Sequence, residues 1–542
     1  MSAYAKPRAS AERVTDVYLF LMLLAFPLSM HDSYFDITET KWLTFALVSA
    51  AYLLLQGVCG AAARLRARGR INGARTSGAI VCLALLALAY LLTTLYHGNW
   101  TEGLLGAHNR YQGLIGALLY LGVGIALART FRASRAALLA LLMGLAAVAL
   151  LAALQYFGLD PFGLTARLAV GDRGRFLSTL GNINFYSSYL SLTLPCALLL
   201  FSLAESRFWR YVSACALFCG ALGLPPSASE SLLAALLPAL LLPPYFLLGS
   251  PRGLMRFLGG ILLMLGALSA EKLLALLVPV AYSPAFYLRA LMRFPVLAGA
   301  IAVCVTLFLC VRRCPAERLV RLRKPYAIGV CAILALSALA ILLLNTVLAG
   351  VPLGTWDRFL RFGPKWGTDR GRIWAYCAQA FCRFDPSAKL IGGGTDALYR
   401  LDADMRFFGD AVLDNAHNEY LHYLLPVGVF GLISYLGTLV FTLRAALKMC
   451  AKNPLIPALA LGVAGYAAQG MFNIAQPVST PLLFLYIGML AGLTERALQN
   501  EDRDAYGKHQ RRAKAPDDDL PNGALPRGHL VEHDDEPLRI AR

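Results

Sequence analysis

Charge is scarce in this chain of 542 residues. Only 15% of them are Asp, Glu, Lys or Arg, against about 25% in ordinary soluble proteins. That shortage excludes a conventional soluble globule. Polar and apolar residues do not alternate, which excludes lipid-facing strands. No nucleotide-binding glycine loop is visible, and no compact ligand motif marks a metal site. Histidine is rare: outside the tails there are only His31, His97, His108, His417 and His422. Of the 12 cysteines, most lie in apolar runs, where a thiol serves as a small apolar group. Cys377 and Cys382 stand in polar sequence. Spaced as they are on a helix, they point in different directions, which argues against a disulfide.

Apolar residues are abundant. They make up 58% of the chain, and they come in blocks. The runs 77–96, 136–157 and 326–348 are each long enough to cross about 30 Å of hydrocarbon as a helix. Inside lipid a helix satisfies its own backbone. The expected class is therefore all-α, a polytopic helical membrane protein. The net charge of +18 would suggest nucleic acid in a soluble protein. Here the basic residues gather in short loops between apolar runs, the pattern that sets topology, so no nucleic-acid partner is expected.

Basic loops carrying Arg64 to Arg75, Arg129 to Arg135, Arg207 and Arg210, Arg252 and Arg256, and the stretch 312–324 all fall on one side of a consistent threading. That threading has about fourteen spans, with both ends in the cytoplasm. It starts with a span at 17–30, with no cleavage pattern after it, and places 31–41 in an outer loop. It reads 271–293 as a semi-polar outer segment between two spans. It divides the chain into N-terminal spans (1–349), one large extracytoplasmic loop (350–419), C-terminal spans (420–494) and a disordered cytoplasmic tail (495–542). No internal repeat is present.

Candidate chemistry concentrates on the outer side. Arg358, Arg361, Lys365, Arg370 and Arg372 open the large interval. Arg110, Arg173 and Arg175 stand in other outer loops. Clustered guanidinium groups suit a pyrophosphate, which accepts bidentate, charge-assisted bonds. Singly, such arginines also serve as surface charges or headgroup anchors. Asp396, Asp402, Asp404, Asp410 and Asp414 lack a rigid ligand spacing, so they read as solvated charges and no metal is expected. His417 closes the polar interval where the next apolar run begins. An imidazole titrates near neutrality and takes a proton from an incoming hydroxyl; the other reading is an interfacial histidine that caps or packs. His422 is five residues on, so the two do not form one zinc-binding face.

Several segments carry a resemblance. Asp414-Asn415-Ala416-His417-Asn418-Glu419-Tyr420-Leu421, followed by Gly428-Val429-Phe430-Gly431-Leu432, resembles the histidine motif of the O-antigen ligase and O-antigen polymerase-like family of bacterial membrane glycosyltransferases. Arg370-Gly371-Arg372-Ile373-Trp374 and Leu390-Ile391-Gly392-Gly393-Gly394-Thr395-Asp396 look like its Arg-x-x-x-Trp and glycine-rich elements. Gly181-Asn182-Ile183-Asn184 is similar to its Gly-Asn-x-Asn element, and the loop at Asp36-Ile37-Thr38 resembles Gram-positive members. The matches run in order along most of the chain. The resemblance implies transfer of a glycan from an undecaprenyl-pyrophosphate donor to an acceptor hydroxyl, on a glycan, lipid or protein, in the inner membrane of a bacterial cell. It implies no cofactor. It implies His417 as the base or acceptor-orienting residue, Arg175 and Arg370 as pyrophosphate ligands, and Arg110 and Arg372 as further substrate-binding candidates. Ser229-Glu230-Ser231 departs from the Ser-Arg-Gly element that some members carry after the seventh span, so no basic residue carries over there. A rival class is a polysaccharide or lipid-linked glycan transporter, which would need ionisable or helix-breaking residues at mid-membrane in two related halves.

The threading is testable. In a background without native cysteines, Ser387→Cys should react with a membrane-impermeant thiol reagent in intact cells. Labelling only after lysis would reverse the topology.

Overall fold

The computed structural model describes residues 9–66, 76–106, 110–395, 397–405, 413 and 415–513. The basic positions Arg68, Arg70 and Arg75, as well as His108, Asp396, Asp410 and Asp414, lie outside them. The chain divides into two units, Met1–Ala497 and Leu498–Arg542.

The first unit is a helical bundle. Among the described residues, nine helices are long and apolar enough to cross a membrane: Ile37–Ala63, Gly78–His97, Arg135–Tyr156, Ile183–Leu203, Pro251–Leu274, Phe294–Arg313, Ala316–Asn345, Glu419–Met449 and Thr480–Asp504. Shorter apolar helices are Leu114–Thr130, Leu232–Leu247 and Leu455–Gly470. The only described strands are Phe176–Leu177 and Gly181–Asn182, a small antiparallel hairpin.

The helices differ in how much protein surrounds them. Of the most apolar window of Ile183–Leu203, 89% is buried, whereas none of the corresponding window of Ala316–Asn345 is. The first is the bundle's centre. The second turns its apolar surface outward on all sides, as a helix solvated by lipid does. Close packing at the centre uses small residues. A side chain at Gly462 would meet the Leu192 carbonyl at 2.4 Å, and one at Gly465 would meet that of Ser191 at 2.6 Å. Helices in lipid associate through such close approach, because lipid removes the usual hydrophobic drive.

The first helix runs from Ser10 to Leu28 with a π turn at Leu21–Ala25. Its last carbonyls have no helical partner. Lys41 supplies one: Nζ donates to the carbonyls of Phe26 (2.8 Å), Pro27 (2.8 Å) and Ser29 (2.7 Å). The expectation that Lys41 belongs to an outer loop is therefore corrected. It sits in the second helix, which begins at Ile37, and it is fully buried.

Two further boundaries differ from expectation. Glu271 was expected in an outer segment but lies buried in the last turns of Pro251–Leu274; the helix simply continues past the apolar run. The tail expected to be disordered from Glu495 begins as helix, since the last helix runs to Ala513. Its Glu, Arg, Ala, Leu and Gln residues are good helix formers and extend it. The large interval 350–419 is also not a plain loop. It carries the helices Asp357–Leu360, Trp366–Arg383, Pro386–Ile391 and Ala397–Met405. One face of Trp366–Arg383 forms a small core of its own, in which Ile373, Tyr376, Cys377 and Ala380 pack with Leu398, Leu413 and Ala416. Cys377 is buried there while Cys382 is exposed, and both are free thiols.

Lys41→Met keeps the side chain's length but strands three carbonyls in a buried place. Unmade bonds to buried acceptors cost about 1–3 kcal/mol each. The variant should show a clearly lower melting temperature in detergent than the parent protein. An unchanged melting temperature would remove Lys41 as the cap of the first helix.

Candidate functional site

The turn before Glu419–Met449 is built by two asparagines. Asn415 Oδ1 accepts from the backbone N–H of His417 at 3.0 Å. Asn418 Oδ1 accepts from Tyr420 N–H at 3.0 Å and Leu421 N–H at 3.2 Å, capping the helix. Both asparagines are buried, while His417 between them is half-buried. His417 has φ 46°, a left-handed conformation that a non-glycine residue adopts at a cost of about 1–2 kcal/mol. The sequence thus holds this residue in a strained turn with its neighbours locked.

The helix that carries Arg370 is tied to the same turn through Trp374. Arg370 precedes Trp374 by one helical turn, on the same face. The Trp374 indole Nε1 donates to the carbonyl of Ala416, the residue before His417, at 3.1 Å. Trp374 also stacks on Phe472, with ring centroids 6.2 Å apart, and meets Trp366 edge-on at 5.4 Å. Trp366 Nε1 in turn donates to the Phe359 carbonyl at 2.9 Å.

Arg370 is set up by unusual backbone. Gly367, Thr368 and Asp369 all have left-handed φ, at 60°, 58° and 65°. The Gly367 carbonyl and the Thr368 hydroxyl accept from Arg370 Nη1 at 2.7 and 3.3 Å. Its Nε is buried without a hydrogen-bond partner. Burial lowers the guanidinium's pKa from its ordinary value. A buried donor of this kind favours an anionic acceptor. Gly371 is needed for close approach, since a Cβ there would lie 2.0 Å from the Gly363 carbonyl oxygen. Arg372 follows, its backbone N–H donating to the Pro364 carbonyl at 3.0 Å.

The glycine-rich element and the motif after His417 are far apart in sequence but interlock. The helix Glu419–Met449 breaks at Gly428, which has φ 66° and ψ −171°. The break releases backbone groups, and partners outside the helix take them. Gly393 N–H donates to the Leu425 carbonyl at 2.8 Å and Gly394 N–H to that of Pro426 at 3.2 Å. The Thr93 hydroxyl also donates to the Pro426 carbonyl at 2.9 Å. A Cβ on Gly392 would stand 2.0 Å from the Pro426 oxygen, and one on Gly428 would stand 2.3 Å from the Leu390 oxygen. Only glycines allow this contact. His97 Nε2 bonds the Gly392 carbonyl at 3.0 Å, and the Thr395 hydroxyl donates to the Glu102 carbonyl at 2.7 Å. The segment that leads to Arg110 is thereby tied to the glycine-rich turn. Tyr111 beside Arg110 stacks on Trp42, with centroids 5.8 Å apart.

The Gly-Asn-x-Asn element joins from the other side. The Tyr420 hydroxyl donates to the Ala467 carbonyl at 2.6 Å. A few residues on, Asn473 Nδ2 donates to the Asn184 carbonyl at 2.8 Å and the Ser188 hydroxyl at 2.7 Å. Ser229 donates to Asn184 Oδ1 at 3.3 Å, and Gln469 Nε2 donates to the Ser231 hydroxyl at 3.1 Å. Asn182 caps the helix Ile183–Leu203 by accepting from Asn184 N–H at 2.9 Å. Arg175 leads into this hairpin. Its side chain is 71% exposed and pairs with Asp172 at 3.2 Å, within its own turn. The helix that carries Arg370 is therefore tied to the His417 turn through Trp374 and Ala416, whereas Arg175 pairs within its own turn and Arg110 stands on another segment.

Glu419, next but one to His417, is buried, and Tyr435 donates to its Oε1 at 2.8 Å. Sequence reasoning passed over this residue, as it did Asn473 and Gln469. For Asn473 and Gln469 the available signal was a polar residue inside an apolar run; Glu419 stands in the polar motif with His417. Among the described residues no three His, Cys, Asp or Glu side chains gather as metal ligands. No family model matches the chain, and no curated protein matches it.

Trp374→Phe removes the indole donor and keeps most of the ring. The expected loss of stability is about 1 kcal/mol, as for a single neutral hydrogen bond. If the 415–418 turn is held for function, activity should fall far more than stability. The measurement is activity beside melting temperature on the same preparation. A parallel, small loss in both would make Trp374 a packing residue only.

Proposed function

We propose that this chain is a membrane glycosyltransferase of the O-antigen ligase and polymerase type, moving a glycan from an undecaprenyl-pyrophosphate-linked donor to an acceptor hydroxyl. The observation that carries the reading is the Trp374–Ala416 bond at 3.1 Å, which ties the helix of Arg370 to the His417 turn. A buried cation with an unpartnered donor and a half-exposed imidazole on a strained turn suit a phosphorylated donor and a hydroxyl acceptor. The order of the resembling segments supports the same reading, because three of them interlock around this turn.

In this reading the protein sits in the inner membrane of a bacterial cell, with 350–419 on the outer side. The long apolar helices, the three shorter ones, the helix from Ser10 to Leu28 and Arg207–Leu222 make up about fourteen crossings. The reaction is a single displacement. The acceptor oxygen forms a bond to the anomeric carbon as the bond from that carbon to the pyrophosphate oxygen breaks. The acceptor's proton passes to the His417 imidazole. Polyprenyl pyrophosphate leaves with its negative charge stabilised by Arg370, and the anomeric centre is inverted. Charge stabilisation of this kind is often the largest catalytic contribution. Arg372 is a further cationic candidate next to Arg370, while Arg175 and Arg110, on separate segments, would have to reach the donor from the sides. No nucleotide sugar, cofactor or metal takes part. A glycan acceptor makes the enzyme a polymerase, a lipid acceptor makes it a ligase, and a protein hydroxyl makes it an oligosaccharyltransferase.

The test is glycan transfer from a polyprenyl-pyrophosphate donor in proteoliposomes with matched protein levels. His417→Ala should reduce transfer by about 10²–10⁴-fold, the usual worth of a general base. His417→Gln stays polar but does not titrate, and should be as poor. Arg370→Lys keeps charge but loses the planar fork, and should chiefly weaken donor use. Near-normal transfer by both His417 variants would remove the histidine from the mechanism.

A further inference from the structure

At the end of Phe294–Arg313, the chain turns through Cys314 and Pro315 into the short helix Ala316–Arg321. A cleft of about 430 Å³ opens there, lined by Thr306, Leu309, Cys310, Arg313, Cys314, Pro315 and Arg318. The first four recur at helical spacing, so they form one stripe along a single face. The stripe runs from uncharged residues within the span to a guanidinium at its end. Arg318 faces the same cleft from the next helix. Arg313 and Arg318 are both exposed, and neither has an ion-pair or hydrogen-bond partner among the described residues.

Two further observations bear on the occupant. First, the stretch 312–324 holds Arg312, Arg313, Arg318, Arg321, Arg323 and Lys324 against a single acid, Glu317. Second, the flanking helices have little protein around them. In Phe294–Arg313 the buried residues are Leu297, Cys304 and Val311, and in Arg323–Asn345 there are none. Their outward apolar side chains need an apolar cover within the bilayer. The occupant must therefore be apolar along the stripe and anionic at its mouth.

We propose that this cleft binds an anionic glycerophospholipid. Its phosphate lies between Arg313 and Arg318, and one acyl chain follows Cys310, Leu309 and Thr306 into the membrane. The assignment does not depend on the transferase reading, since it uses no residue of that site. Basic pockets where spans meet the membrane surface bind anionic headgroups for the same reason. Guanidinium adds directed bonds to the phosphate oxygens.

The full chain, purified and stripped of lipid, is titrated with dioleoylphosphatidylglycerol or dioleoylphosphatidylcholine and read by native mass spectrometry. The anionic lipid should bind more tightly, by about thirtyfold, the combined effect of two basic residues near the surface. The double variant Arg313→Gln with Arg318→Gln should lose that preference. Arg313→Lys with Arg318→Lys should keep most of it. Leu309→Trp should weaken both lipids by filling the path of the chain. Equal binding of the two lipids would overturn the proposal, and so would a preference that survives the double glutamine variant. A dimer that the same glutamine substitutions abolish, with no lipid preference, would assign the face to a second copy instead and equally overturn it. Each variant's melting temperature in detergent checks that it is folded.

Discussion

A helix broken inside an apolar bundle must find new partners for the backbone groups it frees, because lipid offers none. The break at Gly428 is the point where this chain meets that demand. Its freed carbonyls are taken by Gly393, Gly394 and Thr93. Those donors come from two different parts of the sequence, so the break fastens the 390s segment and the helix Gly78–His97 to one place. The contact is so close that neither Gly392 nor Gly428 could carry a side chain. The polar interval is thereby anchored at one end, and the His417 turn is anchored at the other by Trp374.

Strain gathers in the same region. Thr368, Asp369 and His417 are three of the non-glycine residues with positive φ, and all three flank the Arg370–Trp374–Ala416 path. Such conformations persist when their surroundings over-determine them. Here the surroundings are two asparagine caps, an indole bond and an aromatic cluster. Arg370 loses freedom by the same means, because its Nη1 is held by the very turn that precedes it. A guanidinium held before any ligand arrives needs little reordering to bind an anion, which is the physical content of preorganisation.

Much of the helical class was legible from composition and block length. The starts of Leu455–Gly470 and Glu419–Met449 fall where the polar-to-apolar change puts them. What could not be read was the fate of ionisable residues at helix ends. Lys41 looks like a loop residue because it is charged; it is buried because three spare carbonyls at the end of the preceding helix gather around it. That partnership joins elements whose approach no local pattern encodes. Glu271 was misplaced for a related reason, since a helix does not stop where hydrophobicity does. In the site, His417 and Arg370 stood out as rare or clustered polar residues on the expected outer side. The Trp374–Ala416 bond and the Asn473 contacts to Asn184 and Ser188 depend on tertiary approach, so only the motif order hinted at them.

Buried ionisable residues also bear on the choice between a transferase and a transporter. Charged groups within spans are costly and often mark a transport path. Lys41 spends its donors on the end of a helix, and Glu419 accepts from Tyr435 on its own helix at 2.8 Å. A Cβ at Gly470 would stand 3.1 Å from Glu419 Oε2, so the carboxylate lies against the end of Leu455–Gly470. Both residues thus fasten helix ends to one another. A transport group must exchange partners as the protein alternates, and exchange would require Lys41 to abandon three carbonyls together. Glu271 differs, because neither carboxylate oxygen has a hydrogen-bond partner. It lies near the end of its helix, close to Tyr156, Tyr186 and Tyr282, and not at mid-span where a gated substrate would cross. The locked acid and base at helix ends favour a rigid frame, and a rigid frame supports the proposed chemistry at a membrane surface over alternation across it.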